Sequence, residues 1–250
     1  MSNSFIFSPS GVRGLVGNTL TPQLALQLAT AFGHYIKTGT IIVGGDTRSS
    51  FHTFESAVVS GLLATGIHVI RIGQVPTPTC QQLIRKHRAQ GAIVVTASHN
   101  PIEWNGLKFM NDQGSFLSQS EFDQFHSIYQ QAQMHLNDCH QQGSLSEDHS
   151  AIFTHIDHIF SVLDPTPIQN ANLRVLIDAN NGTGAIADPI LLDRLGVSYD
   201  ILNPEPTGQF AHNPEPTKDN LSQIIDTMST GNYDIGFVQD ADADRLVILD

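Results

Sequence analysis

Two short segments of this chain carry residue types that could do chemistry together: Thr96-Ala97-Ser98-His99-Asn100-Pro101 and, far downstream, Asp240-Ala241-Asp242-Ala243-Asp244-Arg245. The first offers a hydroxyl nucleophile, and the second offers three carboxylates for a cation. Each follows an apolar, β-branched run, Ala92 to Val95 and Ile235 to Val238, so each is expected where a buried strand ends and opens onto a crevice. In an extended segment the side chains at i, i+2 and i+4 share a face. Asp240, Asp242 and Asp244 then project together, with roughly 6 to 7 Å between successive Cβ atoms. Three like charges repel unless a cation joins them. Hard oxygen ligands in this number suit Mg2+, and small Ala241 and Ala243 leave room for the curl that lets all three converge. A solvated acidic loop is the plain alternative, and the apolar strand leading in speaks against it. An EF-hand loop also opens D-x-D-x-D but needs Gly at its sixth position, where Arg245 stands, and is rejected.

Ser98 lies between a strand and a turn ended by Pro101, a place where a side chain is held out of a sheet. A cation nearby makes phosphoryl chemistry at its hydroxyl feasible. Ser beside His is weak support by itself. Adjacent side chains usually diverge, so His99 is a poor base for a hydrolase triad, and no G-x-S-x-G elbow surrounds Ser98. Simple turn formation by Ser-His-Asn-Pro is the other reading of this segment. Cationic help for an anionic substrate could come from Arg13, Arg48, Lys108 and Arg245, which sit beside glycines or acidic motifs.

The elements that must position these residues alternate in βα fashion. Helices are expected over 21–35, 50–64 and 79–88, and strands over 40–43, 67–72 and 92–95; a further strand is expected at 106–110 and an amphipathic helix at 118–134, capped by Ser118 with Glu121 three residues on. Residues 131–148 turn polar and rich in Gln, His and Asn, which sets a division into domains 1–143 and 144–250. The second unit is expected to run helix 150–163, a stop at Asp164-Pro165-Thr166-Pro167, strand 173–177, the loop Asn181-Gly182-Thr183-Gly184 and helix 185–195. Strand 198–202, helix 219–229 and strand 234–238 follow. Asn-Pro-Glu-Pro-Thr occurs twice, at 203–207 and 213–217, a short local duplication that stiffens the connection. Strand, crossover and strand in succession imply α/β architecture: two mixed, mainly parallel sheets, each sandwiched between helices.

Composition narrows the partners. The chain has 250 residues, 40% hydrophobic and 14% charged, with 12 Lys and Arg against 24 Asp and Glu and a net charge of −12. That charge repels a phosphate backbone at long range, which argues against nucleic acid as the main partner. No basic n-region with a long apolar stretch opens the chain, and the run from Ser56 to Ile70 is too broken to span a membrane. Cys80 and Cys139 have no C-x-x-C partner, which fits a reduced, cytoplasmic setting. Irregular spacing argues against a metal site among the histidines from His126 to His158.

The serine motif, Asn105-Gly106-Leu107-Lys108 after it and the aspartate motif at this distance together resemble the α-D-phosphohexomutase family. The likeness extends to Ser10-Gly11-Val12-Arg13-Gly14, Gly44-Gly45-Asp46-Thr47-Arg48, Asp178 with Asn181-Gly182, and His212-Asn213-Pro214-Glu215-Pro216. It implies the first two of four α/β/α domains and an enzyme that interconverts sugar 1-phosphates and 6-phosphates. It implies that Ser98 is a phosphoserine and that Asp240, Asp242 and Asp244 hold Mg2+ against it. Lys108 and Arg13 would assist proton transfer and stabilise the transferring group, Arg245 would meet a substrate phosphate, and His99 and Asn100 would orient Ser98. The substrate would be glucosamine, glucose or mannose phosphate. Because the chain stops five residues after Arg245 within an apolar run, partner domains are expected beyond it, and the chain alone is expected to bind Mg2+ weakly and turn over little. Two other readings stand beside this one. One is a Mg2+-dependent phosphatase of the haloacid-dehalogenase type with Asp240 as nucleophile. The other is a non-catalytic remnant that binds phosphosugars.

Overall fold

Apolar runs buried on both faces build the centre of the first sheet. The computed structural model describes residues 5–131 and 135–250. Strands β1 (Phe5–Ser8), β2 (Gly11–Leu15), β3 (Thr40–Gly45), β4 (His68–Gln74), β5 (Gly91–Val95), β6 (Trp104–Met110) and β7 (Leu145–Glu147) join in the order β1-β2-β6-β5-β3-β4-β7. The pairs on the β5-β3-β4-β7 side are parallel and those on the β1-β2-β6-β5 side antiparallel. Helices α1 (Pro22–Ile36), α2 (Phe51–Leu63), α3 (Thr77–His87) and α4 (Gln119–Tyr129) cover the faces. Ile41, Val43, Ile93, Val95, Leu107 and Phe109 pack with α1, α2 and α4, whereas Ile42, Ala92, Val94 and Met110 pack with α3. Alternation along β6 therefore turns Lys108 to the α3 face, the face on which the second unit docks.

The starts of α1 and α4 follow their side-chain caps. Thr21 accepts from the Leu24 amide with Pro22 in the first turn of α1, and Ser118 and Glu121 form a reciprocal capping box on α4. The helix expected to reach residue 134 ends at Tyr129, where the polar Gln130 and Gln131 have no core to face; residues 132–134 lie outside the described residues. The hairpin β1-β2 precedes the first element expected from the pattern. Its strands are short, lie at the antiparallel edge and show no long apolar alternation.

In the second unit, α5 (Ala151–Val162), α6 (Thr166–Asn170), α7 (Gly184–Leu195) and α8 (Ser222–Thr230) surround β8 (Arg174–Asp178), β9 (Ser198–Leu202), β10 (Ile235–Gln239) and β11 (Leu246–Leu249), ordered β11-β10-β8-β9. Val175 and Ile177 face Phe160, Ile168, Leu192 and Leu195; Leu176 and Val238 face Leu221 and Ile224. The expected stop at Asp164 to Pro167 is instead the start of α6. Pro167 occupies its first turn, where a missing N–H costs nothing, and Asp164 Oδ1 accepts from the Thr166 amide. The helix expected at 219–229 is a 3-10 turn (Lys218–Asn220) followed by α8.

Beyond residue 143 the chain still contributes to the first sheet. β7 pairs with β4, and Ala151 at the start of α5 packs under α3, while Phe160 near its end packs in the second core. Helix α5 thus belongs to both units and fixes one against the other. Among the described residues no helix is long and apolar enough to cross a membrane.

Candidate active site

Strand β5 delivers its chain to a turn in which Ser98 adopts a φ of 51°, a left-handed conformation that costs a non-glycine residue about 1–2 kcal/mol. Buried hydrogen bonds hold it there. The Ser98 amide donates to Thr96 Oγ1 (2.8 Å), and that hydroxyl donates to Asp46 Oδ2 (2.6 Å) at the end of β3. The turn aims Ser98 Oγ across to the second unit, where it donates to Asp240 Oδ2 at 2.7 Å. It also brings His99 Nδ1 to 3.3 Å from Ser98 Oγ, so these neighbouring side chains meet where divergence was expected. The left-handed residue is the reason. Burial, with Arg245 and Arg13 nearby, holds the His99 imidazole below its ordinary range, which favours the neutral ring.

The aspartate segment after β10 is a turn and not an extended strand. Ala243 has a φ of 51°, its amide donates to the Asp240 carbonyl (3.1 Å), and the amides of Asp244 and Arg245 both donate to Asp240 Oδ1 at 3.2 Å. Thr183, at the start of α7, donates its amide and hydroxyl to the Ala241 carbonyl and pins the turn from below. Convergence thus comes from the turn, which brings one oxygen from each of Asp240, Asp242 and Asp244 within 4.8 Å of the others. Asp240 and Asp242 are buried and Asp244 is exposed.

The charges in this cluster are incompletely balanced. Lys108 Nζ lies 2.6 Å from both Asp242 Oδ2 and Asp244 Oδ2. Burial lowers its pKa, but the two carboxylates outweigh that and leave it raised. Burial likewise pushes Asp242 upward, and Lys108 and Thr77 reverse the effect. For Asp240, burial with repulsion from Asp242 and Asp244 pushes the pKa up to about 7, and the Ser98 hydroxyl and the more distant Lys108 offset this only in part. Asp242 Oδ1 is buried without a hydrogen-bond partner. Three acids with Lys108 as the cation in direct contact, and an unpartnered carboxylate oxygen among them, fit a small, hard divalent cation.

The remaining residues singled out in the sequence fall into two groups. Arg13, on β2, donates from Nη1 to Asn100 Oδ1 at 3.3 Å, and burial lowers its pKa although Asp242 opposes this. Arg245 is exposed beside the aspartate turn. Arg48, one of the cations expected to help an anionic substrate, does not serve that purpose. It is 1% exposed, pairs with Asp46 at 3.0 Å, and donates to the carbonyls of Ser98, Asn100, Pro101 and Trp104 at 2.7–2.9 Å. Its donors are spent on Asp46 and on the carbonyls of the serine loop. Its side chain also lies under the Phe210 ring of the second unit.

Two contacts that pattern alone did not reveal lock the units at the site. Thr77, the first residue of α3, donates its hydroxyl to Asp242 Oδ2 and its amide to the Asp242 carbonyl. Thr47 donates to the Asn181 carbonyl (2.8 Å), beside Gly208, whose φ of 66° and approach to the Thr47 carbonyl leave no room for a Cβ. Asp178 organises the duplicated Asn-Pro-Glu-Pro-Thr loop by accepting from His212 Nε2 and Asn203 Nδ2, both at 2.9 Å. The usable signal for Asp46, Thr47 and Arg48 was their place directly after a parallel strand, the same sheet edge that carries Ser98.

Residues 4–135 match the family model described as phosphoglucomutase/phosphomannomutase, alpha/beta/alpha domain I, and residues 153–250 match domain II of the same family. The chain is 35% identical over 244 residues to a "Probable phosphoglucosamine mutase" of Methanopyrus kandleri, covering 97% of this chain and 53% of that protein. It is 35% identical over 251 residues to a "Phosphoglucomutase/phosphomannomutase" of Thermococcus kodakarensis, covering 98% and 55%. A crystal structure of a phosphoglucomutase/phosphomannomutase family protein from Burkholderia thailandensis superposes with a TM-score of 0.84 at 26% identity, over 98% of this chain and 55% of that one. The chain spans about half the length of the curated relatives it matches.

Proposed function

Because the chain belongs to the phosphoglucomutase/phosphomannomutase family, we propose that it carries the phosphoryl-transfer centre of a phosphohexomutase. Such an enzyme moves phosphate reversibly between C1 and C6 of a hexose phosphate by way of a bisphosphorylated sugar. The observation that carries the reading is the 2.7 Å hydrogen bond from Ser98 Oγ to Asp240 Oδ2, which sets a strained hydroxyl against the carboxylate cluster. Residues 1–143 supply the phosphoserine loop and residues 144–250 the cation loop.

Asp240, Asp242 and Asp244, with the Ser98 oxygen, are the residues that would hold Mg2+. When bound, Mg2+ supplies charge neutralisation for the transferring phosphoryl group. Ser98 holds that group between transfers. Lys108 and Arg13 stabilise its charge and assist proton transfer at the sugar hydroxyl, and Arg245, exposed at the rim, meets the substrate phosphate. His99 and Asn100 orient the serine; their contacts to Ser98 and Arg13 support this. The names of the relatives support a glucosamine phosphate substrate, with glucose and mannose phosphates next. The free thiols of Cys80 and Cys139 support a cytoplasmic location.

The phosphatase reading is not favoured. Both Asp240 oxygens accept hydrogen bonds, Oδ2 from Ser98 and Oδ1 from two backbone amides, which suits a fixed ligand better than a nucleophile. A non-catalytic remnant is not favoured either, since the strained Ser98 turn and the complete carboxylate set are both present. Incubation with Mg2+ and a hexose 1,6-bisphosphate should add one phosphate to Ser98, read by intact mass and peptide mapping. Ser98→Ala should abolish the label. Acid-labile phosphate on Asp240 would overturn the mutase reading in favour of the phosphatase.

A further inference from the structure

We infer that Thr77 is a positioning residue for the cation site: held in the first unit, it orients Asp242 of the second unit so that Oδ1 is the oxygen left for the metal. This rests on the cation reading above and adds to it a residue, a choice of oxygen and a dependence on how the two units are docked.

Each carboxylate oxygen accepts about two hydrogen bonds. Asp242 Oδ2 has both, from Thr77 Oγ1 and from Lys108 Nζ at 2.6 Å. Asp242 Oδ1 has none and is buried. Because the residue is 0% exposed, rotation cannot hand Oδ1 to bulk water, so the fixed engagement of Oδ2 determines which way Oδ1 faces.

Thr77 fixes the backbone of Asp242 as well, through the 2.9 Å bond from its amide to the Asp242 carbonyl. That amide is one of the N-terminal donors of α3 without a partner inside the helix, and the positive end of the helix favours the nearby carboxylate. Helix α3 is itself anchored: Cys80, Leu83 and Ile84 pack against Ile42 and Val94 in the first core. A rigid element of one unit therefore sets a ligand of the other. Lys108, the second group on Oδ2, also belongs to the first sheet, so the two groups that orient Asp242 arrive together when the units dock.

Groups that hydrogen-bond a metal ligand typically account for about 10- to 100-fold in metal affinity. Thr77→Val keeps the branched shape and the backbone amide and removes only the hydroxyl; Thr77→Ser restores the hydroxyl. The test is titration of the 250-residue chain with Mn2+, following free Mn2+ by electron paramagnetic resonance, with Mg2+ as competitor and affinity referred to the folded fraction from circular dichroism. Thr77→Val should bind Mn2+ about 10- to 100-fold more weakly than the wild type, and Thr77→Ser should bind close to it. Equal affinity in Thr77→Val, or a Ser variant as weak as the Val variant, overturns the positioning role and leaves the cation site standing. A merely structural role would lower the melting temperature of Thr77→Val and leave the affinity of its folded fraction unchanged, which also overturns it. Asp242→Asn is the control on the underlying reading: binding equal to wild type there, or no Mn2+ binding by the wild type, removes the cation site and this inference with it.

Discussion

Asp188→Asn should become progressively more stable than the wild type as pH rises from 4 to 8. Asp188 sits in α7 at 7% exposure and accepts from Gln239 Nε2 at 3.2 Å, but its Oδ2 has no partner, and neither does Gln239 Oε1. Both oxygens press on Gly184: a Cβ there would lie 1.8 Å from Gln239 Oε1 and 2.8 Å from Asp188 Oδ2. Ionised, the carboxylate sets an anionic oxygen against an amide oxygen away from water. Protonated, it can donate to that amide oxygen and complete a reciprocal acid–amide pair.

Burial pushes the acid from 3.8 up to about 7, with the Gln239 bond opposing only in part. A carboxyl raised in the folded state contributes stability that is complete below its unfolded value and is lost as pH rises through the folded one. Between pH 3.8 and 7 the native chain therefore keeps a proton that the unfolded chain has released. The contribution lost across that window is about 4 kcal/mol, at 1.36 kcal/mol per pKa unit. Asn cannot ionise and offers an N–H to Gln239 Oε1. Urea unfolding of both proteins from pH 4 to 8 should show the stability difference growing by about 4 kcal/mol; a difference that does not change with pH would refute the protonated pair.

Arg48→Met should cost about 3–5 kcal/mol, the range for breaking a buried ion pair by removing one member. Asp46, at 0% exposure, would have to take up a proton or remain an unpaired buried anion. The carbonyls of Ser98, Asn100, Pro101 and Trp104 would lose their shared donor, and the left-handed Ser98 would lose the frame that holds it. Arg48→Lys should recover little, because an ammonium on a flexible stem cannot reproduce the planar fork that reaches carbonyls on several sides. Adding Asp46→Asn to Arg48→Met should recover part of the loss by removing the stranded charge. Denaturant unfolding gives these differences directly, and a loss under about 1 kcal/mol for Arg48→Met, the scale of one ordinary hydrogen bond, would mean that the loop is held by other contacts.

Most of the strand and helix order was legible in the sequence, because apolar runs and helix caps are local properties. Ile41 to Val43 and Ala92 to Val95 read as buried strands wherever their neighbours lie, and Thr21, Ser118 and Glu121 announce helix starts from side chains within a single turn. The candidate nucleophile and the three aspartates were legible for a similar reason: each motif is contiguous and follows a strand. The hairpin β1-β2 and strand β7 were missed because short strands at or next to a sheet edge are defined by their partners more than by their own alternation. Tertiary structure alone decided how the pieces act on one another. The contact between Ser98 and Asp240 joins residues 142 positions apart and that between Lys108 and Asp242 joins residues 134 apart; the link from Thr77 to Asp242 spans 165. Arg48 looked like an anion-binding cation because its sequence neighbours are glycine and acid, yet burial among carbonyls brought from residues 98–104 made it a clamp. Residue type sets which charges and donors are available, and their pairing and desolvation follow from long-range packing, which no local pattern encodes.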